Sequence, residues 1–331
     1  MRDTFGSLAE ARYALARQAV AAQPDSPELL FALAEALAAR GDHDEYARVF
    51  RQAYLRWPSM QPGIADVRTV DEAIALRDAT AALIARGVRY APVLAANAFA
   101  NGVLGDKAAV SSLTDYDRFF RVVTNAVPHD FAGVDFFGQL GREVKDGLKF
   151  YDSPGERAIR QAWRNNRIME SPLPACRAFA AEIHRQVARY IAALPASDDH
   201  PFIASCPAAY KIGAWAVVSG SEGHHVAHIH PKAWLSGVYY VVRPEISRET
   251  HSNKGWLRVG PPERLDAAQS GWQQRLVEPE PGHLVLMPGY FYHGTEPLGV
   301  EQERICIAFD VMPLELSKGA RPKRKQKPLG D

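Results

Sequence analysis

The chain has 331 residues, 47% of them apolar and 23% charged, with a formal net charge of +1. That length can bury a sizeable core and suffices for about two domains. The even charge balance argues against a general nucleic-acid binder, which would carry a basic excess. No apolar run approaches the ~20 residues that span a bilayer. The opening stretch MRDTFGSLAEARYALARQAVAAQP has no apolar signal core, so neither membrane insertion nor export is expected. Cys176, Cys206 and Cys306 form no CxxC pair, so neither a disulfide framework nor a cysteine zinc site is expected. Reduced thiols in a cytoplasmic protein are the expectation.

From Leu8 to Pro58 the chain is rich in Ala, Leu and Arg at helical spacing. Pro24, Asp25, Ser26 and Pro27 form a helix start, and Gly41-Asp42 a turn between two helices. Pro24 and Pro58 stand 34 residues apart, the period of a tetratricopeptide repeat. Leu30, Leu33, Ala34, Phe50, Ala53 and Pro58 fall at its packing positions, while Tyr46 replaces the second small alanine. Such a region offers a surface for a protein or peptide partner, or a helical cap for the rest of the chain. Residues 64–122 continue in helical style, with Gly87 and Gly105 at helix ends, and CRAFAAEIHRQVARYIAAL reads as an amphipathic helix. GERAIRQAWRNNRIME places Arg157, Arg160, Arg164 and Arg167 at helical spacing, a face that could meet an anionic substrate group or simply solvent.

After LPASDDHP the pattern turns to short strands: AAYKIGAWAVVSG, LSGVYYVVRP, GWLRVGPP, GHLVLMPGYFYHG and RICIAFDVMP. Without intervening helices these favour an antiparallel sandwich or barrel, with a jelly roll as the natural architecture. The densest chemistry is HHVAHIHP at the mouth of the second strand, with four histidines in seven residues. Neutral imidazole is a common transition-metal ligand. In extended chain His228 and His230 share a face, whereas the adjacent His224 and His225 face opposite ways and read as loop residues. His293 follows a later strand and turn, and Arg304 opens the last strand.

HIHPKAWLSGVYYVVRP, GWLRVGPP, PEPGHLVLMPGYFYHGTEP and ERICIAFDVMP, in that order, resemble the Fe(II)/2-oxoglutarate-dependent oxygenases of the prolyl-hydroxylase type. The resemblance is closer to a bacterial and phage branch carrying HxHP-x-x-x-x-SGVYYV, in which tetratricopeptide-like N-termini also occur. It covers residues 210–313. It implies an α+β chain: a helical tetratricopeptide-like region (1–122), a mixed supporting segment (123–200), a double-stranded β-helix or jelly roll (201–315), and a basic tail (316–331).

The resemblance also implies Fe(II), 2-oxoglutarate and O2 as cofactors. His228 and His293 would be iron ligands, and Arg304 and Tyr240 would grip the distal carboxylate of 2-oxoglutarate. Cys306 would line the same pocket or simply be a packed thiol. The family's usual second ligand is a carboxylate, and here that position holds His230. It could ligate iron itself, stand aside, or leave the place to another carboxylate such as Glu222 or Asp310. Trp215, Trp234 and His225 are candidate substrate contacts, against core packing for the two tryptophans and a loop position for His225. The substrate would be a peptide, a protein or a small molecule, oxidised at a C–H bond. Two other readings stay open: a cupin-like three-histidine metal protein that does not use 2-oxoglutarate, and a helical interaction protein whose oxygenase domain is inactive. The tail, with Lys318, Arg321, Lys323, Arg324, Lys325 and Lys327, reads as a mobile solvated segment or a contact for an acidic partner.

Overall fold

The computed structural model describes residues 2–56, 67–131, 135–146, 148–151, 159–196, 199–243, 253–296 and 302–314. Five helices come first: α1 (Arg2–Ala22), α2 (Pro27–Arg40), α3 (His43–Arg56), α4 (Val70–Ala85) and α5 (Ala91–Val103). Ser26 caps α2 by accepting from the Leu29 amide at 3.3 Å, with Pro27 where no amide donor is needed. Gly41 ends the helix at φ +80°, a left-handed position that favours glycine. Leu30, Leu33, Ala34, Phe50 and Ala53 are all buried in one core of this region, as their spacing predicts. Tyr46 is buried there too, its ring edge-on to Phe50 with centroids 5.9 Å apart. Pro58 lies outside the described residues, and with it the full repeat period.

Two short helices, α6 (Lys107–Leu113) and α7 (Tyr116–Phe119), lead to β1 (Arg121–Val123), a 3-10 turn and α8 (Phe136–Glu143). Beyond them lie β2 (Lys149–Tyr151), β3 (Ile159–Asn165), α9 (Pro174–Ala192) and α10 (Pro201–Ala204). The remaining elements are β4 (Tyr210–His228), β5 (Leu235–Val242), β6 (Leu257–Val259), α11 (Ala267–Ser270), β7 (Arg275–Val277), β8 (Leu284–Pro288), β9 (His293–Thr295) and β10 (Arg304–Pro313). The amphipathic helix expected before the strands is α9, with His184 on its exposed side.

The arginine-bearing stretch departs from expectation. Ile159–Asn165 is a strand that pairs with β2 and β4 (Trp163↔Val218, Arg164↔Val217). Its three-to-four spacing imitates a helix, but the open edge of β4 offers a ladder that overrides local preference. Arg157 lies outside the described residues.

Among the described residues all strand pairs are antiparallel, in the order β1-β8-β5-β10-β4-β9-β6-β7, with β3 and β2 added beside β4. The long strand β4 makes the corner. From Tyr210 to Ser219 it runs against β10; further on, His225 and His228 pair with Thr295 and His293 of β9. A strand that changes partners through a bulge carries its side chains from one sheet to the next. This one delivers the histidines. The main core joins strand residues with those of α8 and α9, and no described helix is long and apolar enough to cross a membrane.

Candidate metal centre and its cavity

His228 ends β4, His293 opens β9 as its cross-strand partner, and His230 lies in the turn that leads into β5. One ligand atom from each of the three rings lies within 4.8 Å of the others. Ring centroids are 4.4 Å apart for His228 and His293, 5.2 Å for His228 and His230, and 4.9 Å for His230 and His293.

Every Nδ1 has its acceptor. His228 Nδ1 meets the Val226 carbonyl at 2.8 Å, His293 Nδ1 meets the Phe291 carbonyl at 2.9 Å, and His230 Nδ1 bonds the Asp310 carboxylate. With the proton held on Nδ1, each Nε2 keeps its lone pair, the form a metal requires. Burial pushes His228 down to about 3 and His293 well below the usual imidazole range, and the neighbouring rings add to both. Both rings are therefore neutral near pH 7 and ready to ligate.

His230 is held on several sides. Its amide donates to the Gly289 carbonyl at 2.8 Å, its carbonyl accepts from Ala233 at 3.0 Å, and Trp215 stacks on its ring at 5.7 Å and 19°. Gly289 passes so close to the Ala233 carbonyl that a Cβ there would collide with backbone, which requires glycine. Next in the chain, the Pro231 carbonyl accepts a hydrogen bond from Tyr54 of α3, whose ring stacks on Tyr90 at 4.2 Å. The helical region thus touches the turn that carries a candidate ligand.

The three rings face a cavity of about 370 Å³, within the range of small-molecule sites. Alternate residues of β10, namely Arg304, Cys306, Ala308 and Asp310, line it along one face. Arg304 is 1% exposed and donates to the Gly255 carbonyl at 3.1 Å. Tyr240, paired with Cys306 across the β5–β10 ladder, is equally buried, and its Oη has no hydrogen-bond partner among the described residues. Burial pushes both the Tyr240 phenol and the Cys306 thiol up, with Arg304 opposing, so both are neutral. An orphaned hydroxyl beside a buried guanidinium fits an anionic ligand such as a carboxylate, which can accept from both. The imidazole trio likewise fits Fe(II).

Of the expected site residues, His225, His228, His230, Tyr240, His293, Arg304, Cys306 and Trp215 all border this cavity. Trp234 does not. Its Nε1 donates to the Phe202 carbonyl at 2.9 Å and its ring stacks on Phe202 at 4.7 Å, so it belongs to the core. His224 and His225 lie in β4 rather than in a loop, because the strand continues through the corner. The side chain of Glu222 and all of His251 lie outside the described residues, as does the basic tail. Asp310 borders the cavity as a partner of His230. Its even spacing from Arg304 on one strand was the available signal. Arg164, with its guanidinium 4.5 Å above the Trp215 ring, and Lys232 also border the cavity. Arg164 is one of the four arginines that could meet an anionic substrate group or solvent, whereas nothing in the sequence marks Lys232 for this position.

Residues 213–310 match a family model described as "Putative 2OG-Fe(II) oxygenase". No curated protein matches the chain. Among solved structures it is similar to a prolyl-4-hydroxylase from Pseudomonas putida at 15% identity and TM-score 0.41, covering 64% of this chain and 98% of that one. A Trichoplax adhaerens prolyl hydroxylase, solved with a hypoxia inducible factor peptide fragment, aligns at 14% identity and TM-score 0.44, covering 67% and 94%. HygX from Streptomyces hygroscopicus, solved with nickel and 2-oxoglutarate, aligns at 13% identity and TM-score 0.40, covering 61% and 86%. The segment 213–310 that this family model matches carries all three histidines, Tyr240 and Arg304, and the cofactors that go with the match are Fe(II), 2-oxoglutarate and O2.

Proposed function

We propose that the protein is an Fe(II)- and 2-oxoglutarate-dependent dioxygenase that oxidises a C–H bond of a peptide, a protein or a small molecule. The observation that carries this reading is one cavity with three converging imidazoles at one end and a buried arginine–tyrosine pair at the other. His228, His230 and His293 would hold the iron through Nε2. Arg304 and Tyr240 would hold the distal carboxylate of 2-oxoglutarate, the guanidinium through paired N–H groups and the phenol through its hydroxyl. Cys306, kept as a neutral thiol, would pack beside them. When bound, Fe(II) and 2-oxoglutarate supply the activation of O2, with 2-oxoglutarate converted to succinate and CO2. Trp215 and His225 stand beside the metal end, where a substrate would meet it, and the buried apolar walls Val238, Leu257 and Met287 exclude water.

Residues 201–315 would form the double-stranded β-helix, and residues 1–122 a tetratricopeptide-like unit. The described part of that unit braces the turn after His230 through Tyr54. Such an attachment favours a helical cap for the oxygenase domain, with a partner surface as a further use of the same helices. The test is succinate formation from 2-oxoglutarate in air. Turnover that needs added Fe(II) and disappears in His228→Ala is expected. No succinate with any candidate peptide or small molecule, in protein shown to hold iron, would contradict the reading and favour a three-histidine metal protein without 2-oxoglutarate.

A further inference from the structure

The three imidazoles differ in what stands behind them. His228 and His293 lean on backbone carbonyls, Val226 at 2.8 Å and Phe291 at 2.9 Å, whereas His230 leans on a carboxylate. That carboxylate, Asp310, is 14% exposed and is fixed from a second direction by Ser236 Oγ, which donates to the same oxygen at 3.0 Å. Its ion-pair partner among the described residues is His230. Ser236 and Asp310 face each other in the β5–β10 ladder, so two buried strands fix the acceptor before any ligand arrives. His230 also occupies the position where the resembled oxygenases carry an acidic ligand.

We propose that Asp310 takes over the charge of the missing acidic ligand from one imidazole further out, as a positioning residue that makes His230 the strongest donor of the three. The inference rests on the reading that these histidines hold a divalent metal. A carboxylate behind a ligating imidazole fixes its tautomer and orientation and raises its basicity, and losing such a partner typically costs about 10- to 100-fold in metal affinity. A backbone carbonyl orients the ring equally well but brings no net charge. The site then has two neutral ligands and one carboxylate–imidazole pair, so an ion of charge two still meets one negative group in a pocket lined largely by buried side chains. The same face of β10 carries Arg304 at its other end. One strand therefore presents a fixed negative group behind the metal end and a fixed positive group at the anion end.

The test separates charge from shape. Asp310→Asn keeps an oxygen that can accept from His230 Nδ1 and Ser236, but removes the charge. Co(II) titration of the metal-free protein, followed by the d–d absorption bands, is expected to give an affinity about 10- to 100-fold below wild type, with shifted bands and an unchanged or higher thermal midpoint without metal. An affinity within two-fold of wild type would overturn the inference, since orientation alone would then explain the contact. Should the Asn variant not fold, Asp310→Ser, which likewise removes the charge, is read in the same titration. A loss of about 10- to 100-fold supports the inference, and an affinity within two-fold of wild type overturns it. Wild-type protein that binds no Co(II) would overturn the metal site and this inference together, whereas equal affinities of wild type and Asp310→Asn overturn this inference alone.

Discussion

The two ends of the cavity are built on opposite plans. At the metal end each ring has its outer nitrogen bonded before anything is bound, twice to a carbonyl and once to Asp310. At the other end the Tyr240 hydroxyl is sealed from water with no partner among the described residues. The difference fits the ligands that each end would take in the proposed function. An ion needs lone pairs converging on a point, so the rings must be fixed in tautomer and angle in advance. A carboxylate brings its own acceptors, so its donors can wait for it, at the cost of an unsatisfied group in the free protein.

Changes at the two ends should therefore separate cleanly. The largest effect is expected from His293→Ala, which removes a ring whose Nδ1 is already anchored. Metal binding measured with Co(II) should fall by more than about 100-fold, taking 2-oxoglutarate binding with it. Arg304→Ala should instead leave the Co(II) affinity within a few-fold. It should weaken 2-oxoglutarate by roughly two to three orders of magnitude, the scale of losing one partner of a buried charge pair. A calorimetric titration in which both ligands weaken together would erase the distinction between the ends.

Acid should act on the metal end next. His228 and His293 have folded-state values pushed below that of the unfolded chain, which titrates near the ordinary imidazole value of about 6.5. The unfolded state therefore binds more protons below that pH, so stability of the metal-free protein should be flat above about pH 6.5 and fall as the pH drops toward 3. Denaturant midpoints that stay constant from pH 7 to pH 4 would contradict neutral buried ligands.

Tyr240→Phe should act in two directions at once. Removing one hydrogen bond should weaken 2-oxoglutarate about three- to ten-fold. Since the hydroxyl has no partner in the described structure, the ligand-free protein should melt at the same temperature or higher. The smallest effect belongs to Tyr54→Phe, which loses the bond to the Pro231 carbonyl. About 1 kcal/mol of stability and a modest loss of Co(II) affinity are expected. No change in either would mean that the helices merely lie beside the oxygenase domain.

The sequence carried these two ends unequally. His228, His293, Arg304 and Tyr240 were legible through the ordered motifs that carry the oxygenase resemblance, and all four border one cavity. The contact between His230 and Asp310 was not, although both residues were candidates, because it depends on which strands become neighbours across 80 residues. Tyr54 and Pro231 lie 177 residues apart, and nothing local marks either as the other's partner. The strand Ile159–Asn165 was hidden for the same reason, since its arginines have helical spacing and only the edge of β4 makes it extended. Trp234 took the second of its two readings, core packing rather than the cavity wall. Nearness in sequence to His230 suggested the cavity, but its indole found the Phe202 carbonyl in the core. Local pattern found the ligands, and long-range pairing decided what stands behind them.

The central claim is that a metal end and an anion end cooperate in one cavity. An anaerobic titration of the wild-type protein with Fe(II) and then 2-oxoglutarate tests it most directly. A visible charge-transfer band that needs both ligands, vanishes in His293→Ala and demands far more 2-oxoglutarate in Arg304→Ala is the predicted result. Iron binding with no band at any 2-oxoglutarate concentration would contradict the account.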